Sequence, residues 1–205
     1  NSILDISHAT SLKFYQDWMK VNKKIKFQLP TINFKKKVLS NNPFDVVLGV
    51  DEVGRGSWAG PLLACASFIL PENFNDLPNI YDSKKMSKKN RRAIFNNAYI
   101  FSKYSICSVS VEEIEYFGIN GANDLALLRA IFCLIKYIEK KSDTNQNFII
   151  CVDGNRKPKF ENFNKLYSII QDKIKVKCFV KGDTKIISIA LSSILAKESR
   201  DIIMK

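Results

Sequence analysis

Two apolar runs in this chain end on carboxylates: VVLGV, Val46 to Val50, leads into Asp51-Glu52, and FIICV, Phe148 to Val152, leads into Asp153. Short runs that are apolar at successive positions fit strands buried on both faces, which need helices on each side to cover them. An α/β sheet flanked by helices, with polar residues presented at strand ends, follows from that pattern.

The rest of the chain supplies the other elements. ACASFIL reads as a second strand, and Ser105 to Val111 as a half-buried third, with Cys107, Val109 and Val111 on its inner side. Lys88 to Phe101 can form a helix behind a Ser87 N-cap, and Leu125, Leu128, Ile131, Ile135 and Ile138 give a longer helix its buried stripe. After FIICVDG come a helical stretch over Phe163 to Ile170, a strand KVKCFVKG and a final helix from Ser188 to Met204. The central sheet is therefore expected to be mixed. Residues 1–45 read as a basic extension and linker, with an aromatic patch around Leu12 to Met19 and the run Lys35-Lys36-Lys37. That segment can contact a duplex or pack on the main domain, and periodicity does not separate the two.

Charge narrows the partners. With 32 Lys and Arg against 20 Asp and Glu, the formal net charge of +12 favours a polyanion such as nucleic acid, although solvated surface lysine gives the same total. Five scattered cysteines without a CxxC pair read as buried, reduced thiols, and His8 is the one histidine. Neither a zinc site nor a histidine-based triad has its residues, so metal chemistry here must use oxygen ligands. The longest uncharged stretch, Gly56 to Pro71, is shorter than a membrane span and is broken by Gly60-Pro61, so no membrane partner is expected and cytoplasm is the default.

Asp51-Glu52 at the mouth of a buried strand costs desolvation energy unless a cation or hydrogen bonds offset it. Adjacent strand residues point to opposite faces, so one metal site for both requires the strand to bend or end there, or Glu52 to offer its carbonyl. An isolated Asp-Glu pair is more often a surface or capping feature, and the context must overturn that. Gly54-Arg55-Gly56 follows at once, where flanking glycines let backbone amides and a guanidinium approach a phosphate or sugar. Ser83, Lys84 and Lys85 lie in a short loop before a helix start, where phosphate contact is plausible and a simple cap beside solvated lysines is the alternative. Asp153 is followed by Gly154, Asn155 and Arg156, and Asp183 in KGDTK precedes the helix carrying Ser192 and Lys197. Carboxylates without histidine or thiolate suit Mg²⁺ or Mn²⁺, and a pair of such ions can activate water and stabilise a leaving oxygen in phosphodiester hydrolysis.

In order, VLGVDEVGRGSWAGP, DSKKMSKKNR, VDGNRKP and KGDTKIISIALSSILAKESRD resemble the successive blocks of the ribonuclease HII family, from Val46 to the last residues. The resemblance implies a ribonuclease H-like fold over residues 46–205 and a metal-dependent endoribonuclease using two divalent ions. It implies Asp51, Glu52 and Asp153 as metal ligands and Asp183 as the fourth carboxylate of the catalytic set. It implies ribonucleotide contact by Gly54, Arg55 and Gly56, and places Ser83, Lys84 and Lys85 and the Ser192 to Lys197 region near substrate phosphates. Asn155 and Arg156 are further substrate-binding candidates. The expected substrates are RNA–DNA hybrids and DNA duplexes with embedded ribonucleotides, cut on the 5′ side to leave a 3′-hydroxyl and a 5′-phosphate by a monomer.

Two departures bear on this. The chain stops at Lys205, before a C-terminal block whose tyrosine helps relatives read the junction, so the junction reader is expected to be incomplete. Ser57-Trp58 replaces the more usual Pro-Leu-like pair. The alternatives are the sister ribonuclease HIII family, which lacks the arginine between the glycines, and an inactive hybrid-binding protein of the same fold.

Overall fold

The computed structural model describes residues 46–73, 76–141 and 146–205, so the expected basic extension over 1–45 lies outside the described residues. Five strands form one sheet: β1 (Val46–Val53), β2 (Leu62–Ile69), β3 (Ser102–Val109), β4 (Phe148–Asp153) and β5 (Ile174–Phe179), in the order β3-β2-β1-β4-β5. β1, β2 and β3 form an antiparallel meander, whereas β4 and β5 add in parallel on the other side of β1. Among the described residues four helices cover the sheet: α1 (Lys88–Phe101), α2 (Val111–Lys141), α3 (Asn164–Ile170) and α4 (Ile187–Ile203).

The two continuous apolar runs become the paired central strands because each has a covered face on either side. Leu48, Val50, Phe148, Ile150 and Val152 pack with α2 in the main core. Ile149 and Cys151 pack against Ile186 and Ile189 at the start of α4 on the opposite face. Each fully buried aliphatic side chain there stabilises the fold by about 1.5–3 kcal/mol. Gly49 is required by the close approach of α4, since a Cβ at that position would lie 2.1 Å from the carbonyl carbon of Ser188. Beneath β1 the Ser192 hydroxyl donates to the Gly49 carbonyl at 2.8 Å, and the Ser67 hydroxyl donates to the Ser188 carbonyl at 2.8 Å.

The α1 N-cap is as expected, with the Ser87 hydroxyl accepting from the Asn90 amide at 3.2 Å. The third strand ends earlier than its alternation implies. Val111 is exposed and opens α2, because Ser110 and Glu113 form a reciprocal capping box: the Glu113 amide donates to the Ser110 hydroxyl, and the Ser110 amide to the Glu113 carboxylate. α2 is long and apolar enough to cross a bilayer, but its buried stripe from Ala122 through Leu128, Ile131 and Ile135 to Ile138 is spent on the sheet. Its course breaks at Gly118, where φ is 66° and ψ is 162°. All five cysteines are free, and Cys133, expected to be buried, is exposed on α2.

Candidate active site

β1 and β4 run side by side with Val50 opposite Val152, so their C-terminal ends bring Asp51 and Asp153 to the same end of the sheet. This is also where the strand order reverses, the position at which open α/β sheets bind ligands. β1 neither ends nor leaves its ladder at the acids: Asp51 still pairs with Cys65 and Glu52 with Ala64 of β2. Regular alternation therefore divides the acid pair. Asp51 follows Gly49 and precedes Val53 on the face covered by α4, whereas Glu52 falls with Leu48 and Val50 on the α2 face. Asp153, just past the edge of the β1 ladder, is the residue whose charge both of them feel.

Burial pushes the Asp51 carboxyl well above the usual range, and the neighbouring Glu52 and Asp153 charges push it further, while a hydrogen bond from Ser193 of α4 opposes the shift. Burial also raises Glu52, against the opposing pull of Arg55, with Asp153 raising it and Arg156 lowering it. Asp183 sits in the single turn Gly182–Thr184, which follows Lys181 in the left-handed region. Its carboxyl is raised by burial and by Asp153 and Asp82, against Lys84. Asp153 is tied to that turn by the Gly182 amide, which donates to its Oδ1 at 2.7 Å. Among the described residues no group of three Asp, Glu, His or Cys side chains is placed to hold a metal ion, and the four carboxylates are linked through Asp153, whose charge bears on Asp51, Glu52 and Asp183. The donor set fits hard divalent cations: it is all oxygen, and three of its members resist ionisation because burial strips them of water, with the Asp153 charge adding to the effect at each.

The loop after β1 is built for close approach. Gly54 at φ 102° has no room for a Cβ, which would meet the Arg200 side chain and the Pro61 carbonyl, each at 2.9 Å. Gly56 faces open space. Arg200 of α4 pins the return of the loop, donating to the carbonyls of Pro61 at 3.1 Å and Ala59 at 2.6 Å. Ser57 is exposed and Trp58 stands fully in solvent, so the unusual pair disturbs no packing. Arg55 donates to Asn120 Oδ1 at 2.6 Å and lies 4.0 Å from Glu52. Past β4, Asn155 is exposed, while both terminal nitrogens of Arg156 donate to the buried Asp124 carboxylate.

The remaining candidates divide. Lys84 is exposed beside Asp183, Lys85 is exposed 3.9 Å from Asp82, and Lys197 is half-buried, 3.7 Å from Asp201. Ser83 and Ser192 point inward instead. Ser83 is 2% exposed with its hydroxyl on Ser193 at 2.9 Å, and Ser192 is wholly buried beneath Gly49, so neither hydroxyl faces solvent. Their serine type reads the same in the sequence whether they cap, pack or bind. Reasoning from sequence also missed Arg91 and Glu198, a buried ion pair at 3.1 Å that holds the Ser83 loop to α4: Arg91 Nη1 donates to the carbonyls of Ser83 at 3.3 Å and Met86 at 2.9 Å. Asn120 and Asp124 were missed too. Each meets its arginine across a separation of 65 and 32 residues, which no local signal carries.

A β3-β2-β1-β4-β5 mixed sheet with helices on both faces and carboxylates at the ends of β1 and β4 is the ribonuclease H-like fold. The family model described as Ribonuclease HII matches residues 48–205. A ribonuclease HII from Wolbachia sp. subsp. Brugia malayi is 35% identical over 167 residues, spanning 82% of this chain and 71% of that one. The chain belongs to the ribonuclease HII family. Among solved structures, the ribonuclease H2 of Pyrococcus horikoshii superposes with a TM-score of 0.58 at 27% identity, covering 77% of this chain and 73% of its own. Bst-RNase HIII in complex with Mn²⁺ gives a TM-score of 0.60 at 19% identity, covering 76% and 52%, a likeness of fold alone. The family assignment makes this chain a nuclease hydrolase acting on nucleic acid, of a kind that uses divalent metals.

Proposed function

We propose that the chain is an endoribonuclease that hydrolyses the RNA strand of RNA–DNA hybrids and cuts on the 5′ side of single ribonucleotides in duplex DNA. The observation that carries this reading is the gathering of Asp51, Glu52 and Asp183 around Asp153 beside the Gly54-Arg55-Gly56 loop. Asp51 and Asp153, with Glu52 through its backbone carbonyl because its side chain lies on the α2 face, would hold two divalent cations, Mg²⁺ or Mn²⁺, with Asp183 beside Asp153. Bound there, such ions lower the pKa of a coordinated water and offset charge on the leaving oxygen.

The chain's own residues do the remainder. Arg55 and the open backbone at Gly56 address the sugar-phosphate of the ribonucleotide, where the 2′-hydroxyl separates RNA from DNA. Lys84 supplies positive charge to neighbouring phosphates, as do Lys85 and Lys197 once they turn from Asp82 and Asp201. Arg200 holds the loop that carries these groups and need not touch the substrate.

The test is cleavage of a labelled DNA duplex with one ribonucleotide in Mg²⁺, Mn²⁺ or EDTA. A metal-dependent cut on the 5′ side of the ribonucleotide supports the reading. A folded protein that binds the duplex and never cuts it would overturn the reading, and cutting confined to longer RNA runs would shift the substrate to that of the sister family.

A further inference from the structure

Just beyond Gly118, one turn of α2 faces the site from the side opposite α4. The break there is fixed from both directions: the backbone lies in a region closed to residues with a Cβ, and the Phe117 ring meets the Phe163 ring edge-on at 5.4 Å. Asn120 and Asp124 follow, four apart, and so lie on one face of the helix. They hold the two arginines that reach Glu52 from different segments, Arg55 after β1 and Arg156 after β4.

The two grips differ chemically. Asp124 is 2% exposed and meets Arg156 in an ion pair, and it also accepts from the Lys159 amide at 3.2 Å. That pair cancels its own charge and braces the helix turn against the segment after β4. Asn120 meets Arg55 with a neutral oxygen, so the guanidinium is oriented without adding a negative charge to that of Glu52 at 4.0 Å, and it can still meet an anion. An arginine that is 43% exposed would otherwise be spread over many rotamers, and holding it beforehand lowers the cost of binding.

We infer that Asn120 is a positioning residue that fixes Arg55 for the ribonucleotide and thereby sets the preference for a single ribonucleotide over continuous hybrid. This rests on the proposed function, because a lone ribonucleotide offers one 2′-hydroxyl and depends on a prearranged reader, whereas a long hybrid offers many registers.

The experiment uses the whole chain with Asn120→Ala, Asn120→Asp, Arg55→Ala and the double variant Asn120→Ala/Arg55→Ala. Steady-state cleavage is measured on a one-ribonucleotide duplex and on a continuous hybrid, and the Arg55 guanidinium is followed by nitrogen-15 NMR without nucleic acid. Asn120→Ala should raise KM on the one-ribonucleotide duplex by about tenfold, with a much smaller change in kcat or on hybrid, and should leave the melting temperature in place. In the Arg55→Ala background the same change should do nothing further. Asn120→Asp should keep the Arg55 side chain ordered but weaken the salt dependence of duplex binding by about one phosphate contact. Additive effects in the double variant, or equal substrate preference in Asn120→Ala and the parent, would overturn the inference. If the parent cuts neither substrate, the proposed function fails separately, and the NMR order of Arg55 with and without Asn120 still decides the positioning.

Discussion

The Gly182 amide donates to Asp153 Oδ1 at 2.7 Å, so the carboxylate at the end of β4 is hydrogen-bonded to the residue immediately before Asp183. A single contact thus couples the placement of two acids from separate segments. Asp153→Asn keeps an oxygen that can accept this bond, so the variant should fold, bind hybrid within a fewfold of the parent and lose cleavage by about 10³-fold or more. Single-turnover cleavage alongside a binding titration checks it; comparable cleavage by the two proteins would remove Asp153 from the chemistry.

Gly182 itself is predicted to be intolerant. A Cβ there would lie 2.7 Å from Ile189 Cδ1 and 3.2 Å from Asp153 Oδ1, so Gly182→Ala must turn the buried Ile189 side-chain tip aside and press on the acid. A loss of cleavage larger than the drop in melting temperature would explain is the expected result, read from kcat and thermal unfolding on one preparation.

Asp51 gives a prediction of opposite sign for stability. Its carboxyl is held well above the ordinary range by burial and by Glu52 and Asp153, so in metal-free protein its ionised form opposes folding. That penalty is fully present above the raised pKa, fades as pH falls through it, and is gone below the unfolded-state value. Asp51→Asn should therefore melt higher than the parent at neutral pH without metal, the gap closing on acidification. Mg²⁺ or Mn²⁺ at a hundred times its dissociation constant should add about 2.7 kcal/mol to the parent, and markedly less to the variant. A parent that melts higher than Asp51→Asn at neutral pH without metal would contradict the assignment.

The Arg91–Glu198 pair should behave as a buried ion pair. Glu198 is 1% exposed, so Glu198→Leu alone strands the Arg91 charge and should cost about 3–5 kcal/mol. Arg91→Met with Glu198→Leu should recover most of that stability in denaturant titrations, yet leave the Ser83 and Met86 carbonyls without their donor and the lysine loop less fixed. The double variant is thus expected to be stable but weakened in KM.

Gly118→Ala tests the break in α2. The backbone conformation there, not lack of space, excludes a side chain, and a cost of about 1–3 kcal/mol is expected from thermal unfolding.

What the sequence disclosed was what neighbouring residues encode together. An apolar run followed by an acid locates a strand end, and Ser87 before a helical stripe locates a cap, so β1, β4 and α1 were legible. The Cys107, Val109 and Val111 alternation runs past the true end of β3 because the Ser110–Glu113 capping box starts α2 at Val111. The orientation of Ser83 and Ser192 was hidden because a hydroxyl buried on a carbonyl and one facing phosphate are the same residue. Asn120 and Asp124 lay beyond local reading altogether, since their partners are supplied by other strands.

The contact at Gly49 has a consequence for motion. With no side chain between them, the backbone of β1 rests on the first turn of α4 and is tied to it through Ser192 and Ser67. The strand bearing Asp51 and Glu52 and the helix bearing Ser193 and Arg200 then have no path for independent opening, and they should exchange their amide hydrogens as one cooperative unit, at the slowest rates in the molecule. Whatever breathing admits a duplex must come from the loops at the rim, while the carboxylate floor stays shut until the whole domain unfolds.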